Sequence, residues 1–279
     1  MWRWLAGLLV SVAVLLSAVS RPVSAAPDVV VGPQGNEPVT GAVNPLNPQN
    51  VAVAQCTLRL STDFGRTFPI TVNPATPPGY PRVGIGCDDV LAFDSQGRLF
   101  WAYLLRGDLN GDGTQDDLTV VVAQVNPATG AIVGNAADIT PGQFSDDKPW
   151  LAADATPGSP FRDNLYIVWT RLGGGSQVMF SRSVNQGGAW SAPRQISAAG
   201  EGFVWPSHVA VAPNGDVYAS YHSDTCGAAT AQMFVIRDST GGANLAANPP
   251  VITQKTSFQS AVTCNVQDSS GDEVPNTDF

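Results

Sequence analysis

Residues 145–197 read SDDKPWLAADATPGSPFRDNLYIVWTRLGGGSQVMFSRSVNQGGAWSAPRQIS. Four short strands account for the stretch. Trp150–Ala153 comes first and a Pro/Gly-rich loop follows it. Leu165–Thr170 is rich in β-branched and aromatic residues, which suit a pleated, half-buried surface. A glycine turn, Gly173–Gly175, leads to Val178–Ser183, and a tight turn leads to Trp190–Ile196. Strand and turn alternating at roughly ten-residue spacing is the pattern of an antiparallel sheet. No window in it carries helical periodicity.

The last turn has its own local chemistry. Ser183, Asn185, Gly187 and Trp190 fall in the pattern S-x-D/N-x-G-x-x-W. A serine hydroxyl and an Asx side chain can bond the turn's own amides. Glycine takes the positive φ of such a turn, and the indole covers the hairpin. Ser61, Asp63, Gly65 and Phe68 repeat the pattern with Phe in place of Trp. The two copies resemble the Asp-box, or BNR, repeat of the sialidase family and related β-propellers. The resemblance implies an all-β propeller of four-stranded antiparallel blades, six in the sialidase type. It also implies that these turns are structural and lie away from the active face.

Working outward, the inner-strand pattern recurs. Leu91–Asp94, Leu151–Asp154 and Val209–Ala212 end alike. Each precedes a second strand of one type, Leu99–Tyr103, Leu165–Trp169 and Val217–Tyr221, and Val43 with Val51–Ala54 is a weaker copy. Such self-similarity at about 50–60 residues fits a blade of four strands with loops. Blades are expected at about 28–86, 87–143, 145–197 and 205–256, with a partial fifth at 257–279. Six blades need roughly 330 residues at this length. The expectation is therefore about four blades plus the start of a fifth in a C-terminally incomplete propeller.

Residues 1–25 read as a secretion signal. Arg3 charges its start, Leu5–Ser20 is its apolar core, and Val23 to Ala25 offers small residues for cleavage. The core is shorter than the ~20 residues that span a bilayer. The expected location is secreted, extracellular or periplasmic, with no stable membrane insertion after cleavage. The chain carries 14 Lys+Arg against 23 Asp+Glu, a net charge of −9. With no basic stripe to offset phosphate, nucleic acid is excluded as a partner class. In an oxidising compartment Cys56, Cys87, Cys226 and Cys264 allow three pairings. Cys56 with Cys87 and Cys226 with Cys264 is favoured, each pair tying one blade to the start of the next.

Asp108, Asn110, Asp112, Thr114 and Asp116 form a second motif, between the strands Leu99–Leu105 and Leu118–Gln124. Oxygens at alternating positions, with Gly113 at the sixth, suit Ca²⁺. Thr119 stands where an EF-hand loop has its glutamate. The resemblance is to the hairpin loops of calcium-binding propellers, and a structural Ca²⁺ is expected.

Candidate chemistry lies where the inner strands begin. Asp88 and Asp89, then Asp146, Asp147 and Lys148, then Trp205 and His208, are separated in sequence but enter equivalent strands. Asp paired with His or Lys could do acid–base work. Arg82 and Arg106 flank the second blade as weaker ligand-binding candidates. Sialidases clamp a carboxylate with three arginines and carry an Arg-Ile-Pro motif ahead of the first Asp-box. No arginine stands between Arg21 and Arg59 here. The expectation is a secreted propeller that binds glycans or surface polymers. Two alternatives stay open: a sialidase-type glycoside hydrolase whose arginine triad lies in absent blades, and a calcium-stiffened structural surface module.

Overall fold

The computed structural model describes residues 29–32, 39–80, 83–172, 175–199, 201–224, 231–246 and 256–258. Within them lie four antiparallel sheets of four strands, each in sequence order. The first holds β1 (Thr40–Val43), β2 (Val51–Gln55), β3 (Thr57–Ser61) and β4 (Ile70–Val72). The second holds β5 (Gly84–Phe93), β6 (Leu99–Gly107), β7 (Asp117–Val125) and β8 (Ile132–Asp138). The third holds β9 (Asp146–Ala153), β10 (Leu165–Arg171), β11 (Gln177–Ser183) and β12 (Arg194–Gln195). The fourth holds β13 (Phe203–Val211), β14 (Val217–Asp224), β15 (Ala231–Asp238) and β16 (Thr256–Phe258).

The sheets stack face to face through three cores. Leu58 and Leu60 of the first sheet meet Leu91, Trp101 and Tyr103 of the second. Phe100 and Leu104, on the other face of β6, meet Leu151, Ile167 and Trp169 of the third. Tyr166, Val168 and Phe180 meet Val209, Val217 and Ile236 of the fourth. Successive side chains of a strand point to opposite faces. The middle sheets are covered on both faces, so β6 and β10 read as continuous apolar runs rather than alternating ones. The leading strands touch in series, β1 with β5, β5 with β9 and β9 with β13. This is blade-on-blade packing with the first strand of each sheet innermost.

Three expectations are corrected. The strand expected over Trp190–Ile196 shrinks to Arg194–Gln195. Its earlier part is still turn: the Ser191 amide bonds the Arg182 carbonyl at 2.8 Å, and Pro193 has no amide to give the ladder. The third sheet's inner strand starts at Asp146, not Trp150, because a bulge accommodates Pro149. Ser257 and Phe258, expected to open a fifth blade, lie in β16 and pair with β15 of the fourth sheet. The leader 1–25 and the stretch 259–279 lie outside the described residues.

The two serine–Asx turns have the expected local bonds. Ser61 Oγ accepts the Gly65 amide at 2.9 Å and Asp63 Oδ1 accepts the Thr67 amide at 2.9 Å. Ser183 Oγ accepts the Gly187 amide at 2.8 Å and Asn185 Oδ1 the Ala189 amide at 2.8 Å. Trp190 packs on the core between the second and third sheets.

Candidate functional site

Each inner strand of the last three sheets is bulged near its start. The register of β5 slips between Ile85 and Cys87 and again between Cys87 and Val90. That of β9 slips between Asp147 and Trp150, and that of β13 between Val204 and Ser207. A bulge bends its strand and re-aims a side chain. At two of the three the backbone is also left-handed without glycine: Cys87 has φ 63°, Asp88 47° and Lys148 47°. Non-glycine residues hold such angles only when their surroundings over-determine them, and they gather at functional sites.

These bulges bring Asp88, Asp147 and Lys148 together. Lys148 Nζ donates to Asp88 Oδ1 at 2.7 Å, and the pair is only partly exposed to solvent. Asp147 lies beside this pair: its Oδ1 accepts the Lys148 amide at 2.7 Å, and the charge of Asp88 acts on its carboxyl. Burial first, then the negative charge of Asp88, pushes the Asp147 carboxyl up to about 7. The trio sets two carboxyl groups around one ammonium. At neutral pH it offers a carboxylate acceptor, an ammonium donor and a carboxyl that can both give and accept.

The other two carboxylates of the expected pocket do different work. Asp89 is buried; it accepts Trp101 Nε1 at 2.6 Å and the Cys56 amide, and burial raises its pKa. Asp146 is fully buried in a two-pronged pair with Arg171, at 2.8 and 3.0 Å. Both anchor strands. His208 meets Trp150 in a tilted ring contact, centroids 4.0 Å apart, and loss of water around the ring lowers its pKa. Trp205 stacks on Phe203 at 6.4 Å along β13. Arg106 is outside the cluster, donating from Nε to the Gln115 carbonyl at 3.0 Å. Arg82, Cys226 and Cys264 lie outside the described residues. Cys56 and Cys87 are joined by a disulfide.

Trp150 is the residue that sequence reasoning missed as a site component. Its ring is 39% exposed on an inner strand, two residues past Lys148. An aromatic directly after the D-D-K-P run was the available signal.

The 108–117 loop is held by its own amides. Asp108 accepts those of Gly111 and Gly113 at 2.8 and 3.1 Å, Asn110 that of Asp112 at 2.9 Å, and Asp112 that of Thr114 at 2.8 Å. The Thr114 hydroxyl donates to Asp112 Oδ1 at 2.6 Å and also to Asp116. The donor types suit a hard cation. Among the described residues, however, no three His, Cys, Asp or Glu side chains gather as a metal-holding group.

No family model and no curated protein matches the chain. Solved structures do. An α-L-arabinanase of Penicillium chrysogenum, complexed with arabinobiose, is 14% identical with a TM-score of 0.50, over 84% of this chain and 67% of that one. A protein of unknown function from Dyadobacter fermentans is 14% identical with a TM-score of 0.45, over 73% and 52%. A thermostable family-43 glycoside hydrolase is 13% identical with a TM-score of 0.43, over 76% and 75%. The chain thus spans about half the length of the Dyadobacter protein. The arabinanase likeness is one of fold, all-β and propeller-like. It corrects the sialidase resemblance: the solved structure that shares the fold is an arabinanase, and no family model, the sialidase repeat included, matches the chain.

Proposed function

We propose that the protein is an exported propeller-like module that binds neutral polysaccharide where β5 and β9 begin. The Asp88–Lys148–Asp147 trio on two adjacent bulges carries this reading. Its donors and acceptors suit vicinal hydroxyls, and the exposed Trp150 ring suits the apolar face of a sugar. A net charge of −9 disfavours an anionic polymer. The names of the structural neighbours, an arabinanase and glycoside hydrolases, lend the glycan class support. Export rests on the 1–25 leader and on the Cys56–Cys87 disulfide, which an oxidising compartment favours.

Binding is preferred to hydrolysis on geometry. Glycosidase carboxylates stand about 5–9.5 Å apart to admit a sugar or a water. Asp88 and Asp147 instead bracket a single lysine, Asp88 bonded to its Nζ and Asp147 to its amide, each at 2.7 Å. Affinity electrophoresis through a panel of neutral polysaccharides tests the proposal. At least one should retard the protein. Lys148→Ala and Trp150→Ala should each weaken that binding about 10-fold, or ~1.4 kcal/mol. No retardation by any neutral polymer, or unchanged retardation of both variants, sinks it. Hydrolysis is a second reading, favoured by a carboxyl that is half-protonated near neutral pH. Reducing sugar released by the wild type and not by Asp147→Asn would establish it.

A Ca²⁺ ion in the 108–116 loop is a separate proposal, carried by residue spacing. Added Ca²⁺ should raise the melting temperature by a few degrees and a chelator should reverse the rise. Identical melts remove the ion from the account.

A further inference from the structure

We infer that Cys56, Cys87 and Asp89 are positioning residues for the proposed polysaccharide site, holding Asp88 where it meets Lys148 and Asp147 across the gap between two sheets. The inference rests on the reading above for its purpose, but not for its geometry.

Cys56 alone makes the turn between β2 and β3, since Gln55 already pairs with Thr57. Its φ of 57° is the left-handed value that such a one-residue reversal needs. From that position it grips β5 twice. Its sulfur is bonded to Cys87, and its amide donates to the Asp89 carboxylate. Asp88 is the single residue between these two anchors. Trp101 Nε1 adds a third tie to Asp89 at 2.6 Å from inside the second sheet.

The grip is needed because the backbone opposes it. Cys87 and Asp88 are consecutive non-glycine residues with φ of 63° and 47°. Left-handed geometry pushes the Cβ of an L-residue against the following carbonyl oxygen. Two extra residues are also accommodated in β5 opposite β6 between Ile85 and Val90. Released, this segment relaxes toward extended geometry, and a one-residue slip turns each side chain to the other face. Asp88 then leaves Lys148 Nζ, and Asp147 loses the partner whose charge acts on it. The two ties lie on the first and second sheets, whereas Asp147 and Lys148 lie on the third. Removing the ties therefore reads out on a residue that none of them touches.

Carboxyl ¹³C NMR titration of the full-length protein is the test, and it needs no ligand. In the wild type Asp147 should titrate near 7. In the double variant Cys56→Ser, Cys87→Ser its midpoint should fall by at least one pH unit, with Lys148 freed from Asp88. A folded double variant whose Asp147 midpoint is unmoved overturns the inference. If the double variant does not fold, Asp89→Asn keeps the disulfide and weakens the amide tie. Its Asp147 midpoint should also fall, and an unmoved value overturns the inference equally. Failure of every polysaccharide to bind would sink the functional proposal while leaving this titration result standing.

Discussion

Replacing Trp101 with alanine lowers the unfolding free energy by about 3–5 kcal/mol, the range for deleting a large aromatic from a packed core. Trp101 is fully buried on β6, within the core shared by the first two sheets. Its ring lies 4.6 Å from that of Tyr103. Two losses combine. The cavity opens between sheets that cannot collapse freely, because the disulfide and the packed inner strands fix how they sit against each other. The buried Asp89 carboxylate also loses its 2.6 Å donor, and an under-satisfied buried acceptor costs about 1–3 kcal/mol. Trp101→Phe separates the two, keeping most of the apolar volume and removing the N–H; it should cost about half as much. Urea unfolding at pH 7 measures both. A Trp101→Ala loss below about 1 kcal/mol would mean that neither the packing nor the Asp89 tie matters as described.

The strands were legible where burial on both faces leaves no choice of residue type. Leu99 to Tyr103 and Leu165 to Trp169 read as strands because every side chain enters one core or the other. The site was legible only in outline. Sequence position put Asp88, Asp89, Asp146 and Asp147 in one pocket, but neighbours in a strand face opposite ways. Asp88 and Asp147 turn to the trio, whereas Asp89 and Asp146 turn inward to Trp101 and Arg171. Which member of each pair faces out depends on the bulges. Those depend on left-handed Cys87, Asp88 and Lys148, for which composition gives no cue. The family resemblance failed for a related reason. A turn closed by Ser61, Asp63 and Gly65 needs only its own amides. Any tight hairpin can host it, so it reports local geometry and not ancestry.

Asp147 makes the native state lose stability as pH rises from about 4 to 7. Its carboxyl lies at about 7 in the fold against 3.8 in the ordinary range. Between those values the folded chain holds a proton that the unfolded chain has released, so protons favour folding. The stabilisation is complete below the lower value and is lost as pH passes the upper one. At 1.36 kcal/mol per pH unit, partly offset by solvent at the site, the loss is on the order of 2 kcal/mol. Other groups titrate nearby. His208, whose pKa is lowered, works in the opposite sense, favouring the fold above its ordinary value of 6.5 and losing that contribution as pH falls. Asp63, held down at about 2 by its bonds to Ser61 and Thr67, completes its titration below the window. The difference between wild type and Asp147→Asn removes these shared contributions. The amide stays neutral at every pH and can still donate to Asp88. Asp147→Asn should therefore match the wild type near pH 4 and melt several degrees higher at pH 8, where the wild type must ionise Asp147 beside Asp88. Thermal melts at steps from pH 4 to 8 decide it. Parallel curves for the two proteins would show that Asp147 ionises as freely in the fold as in the unfolded chain.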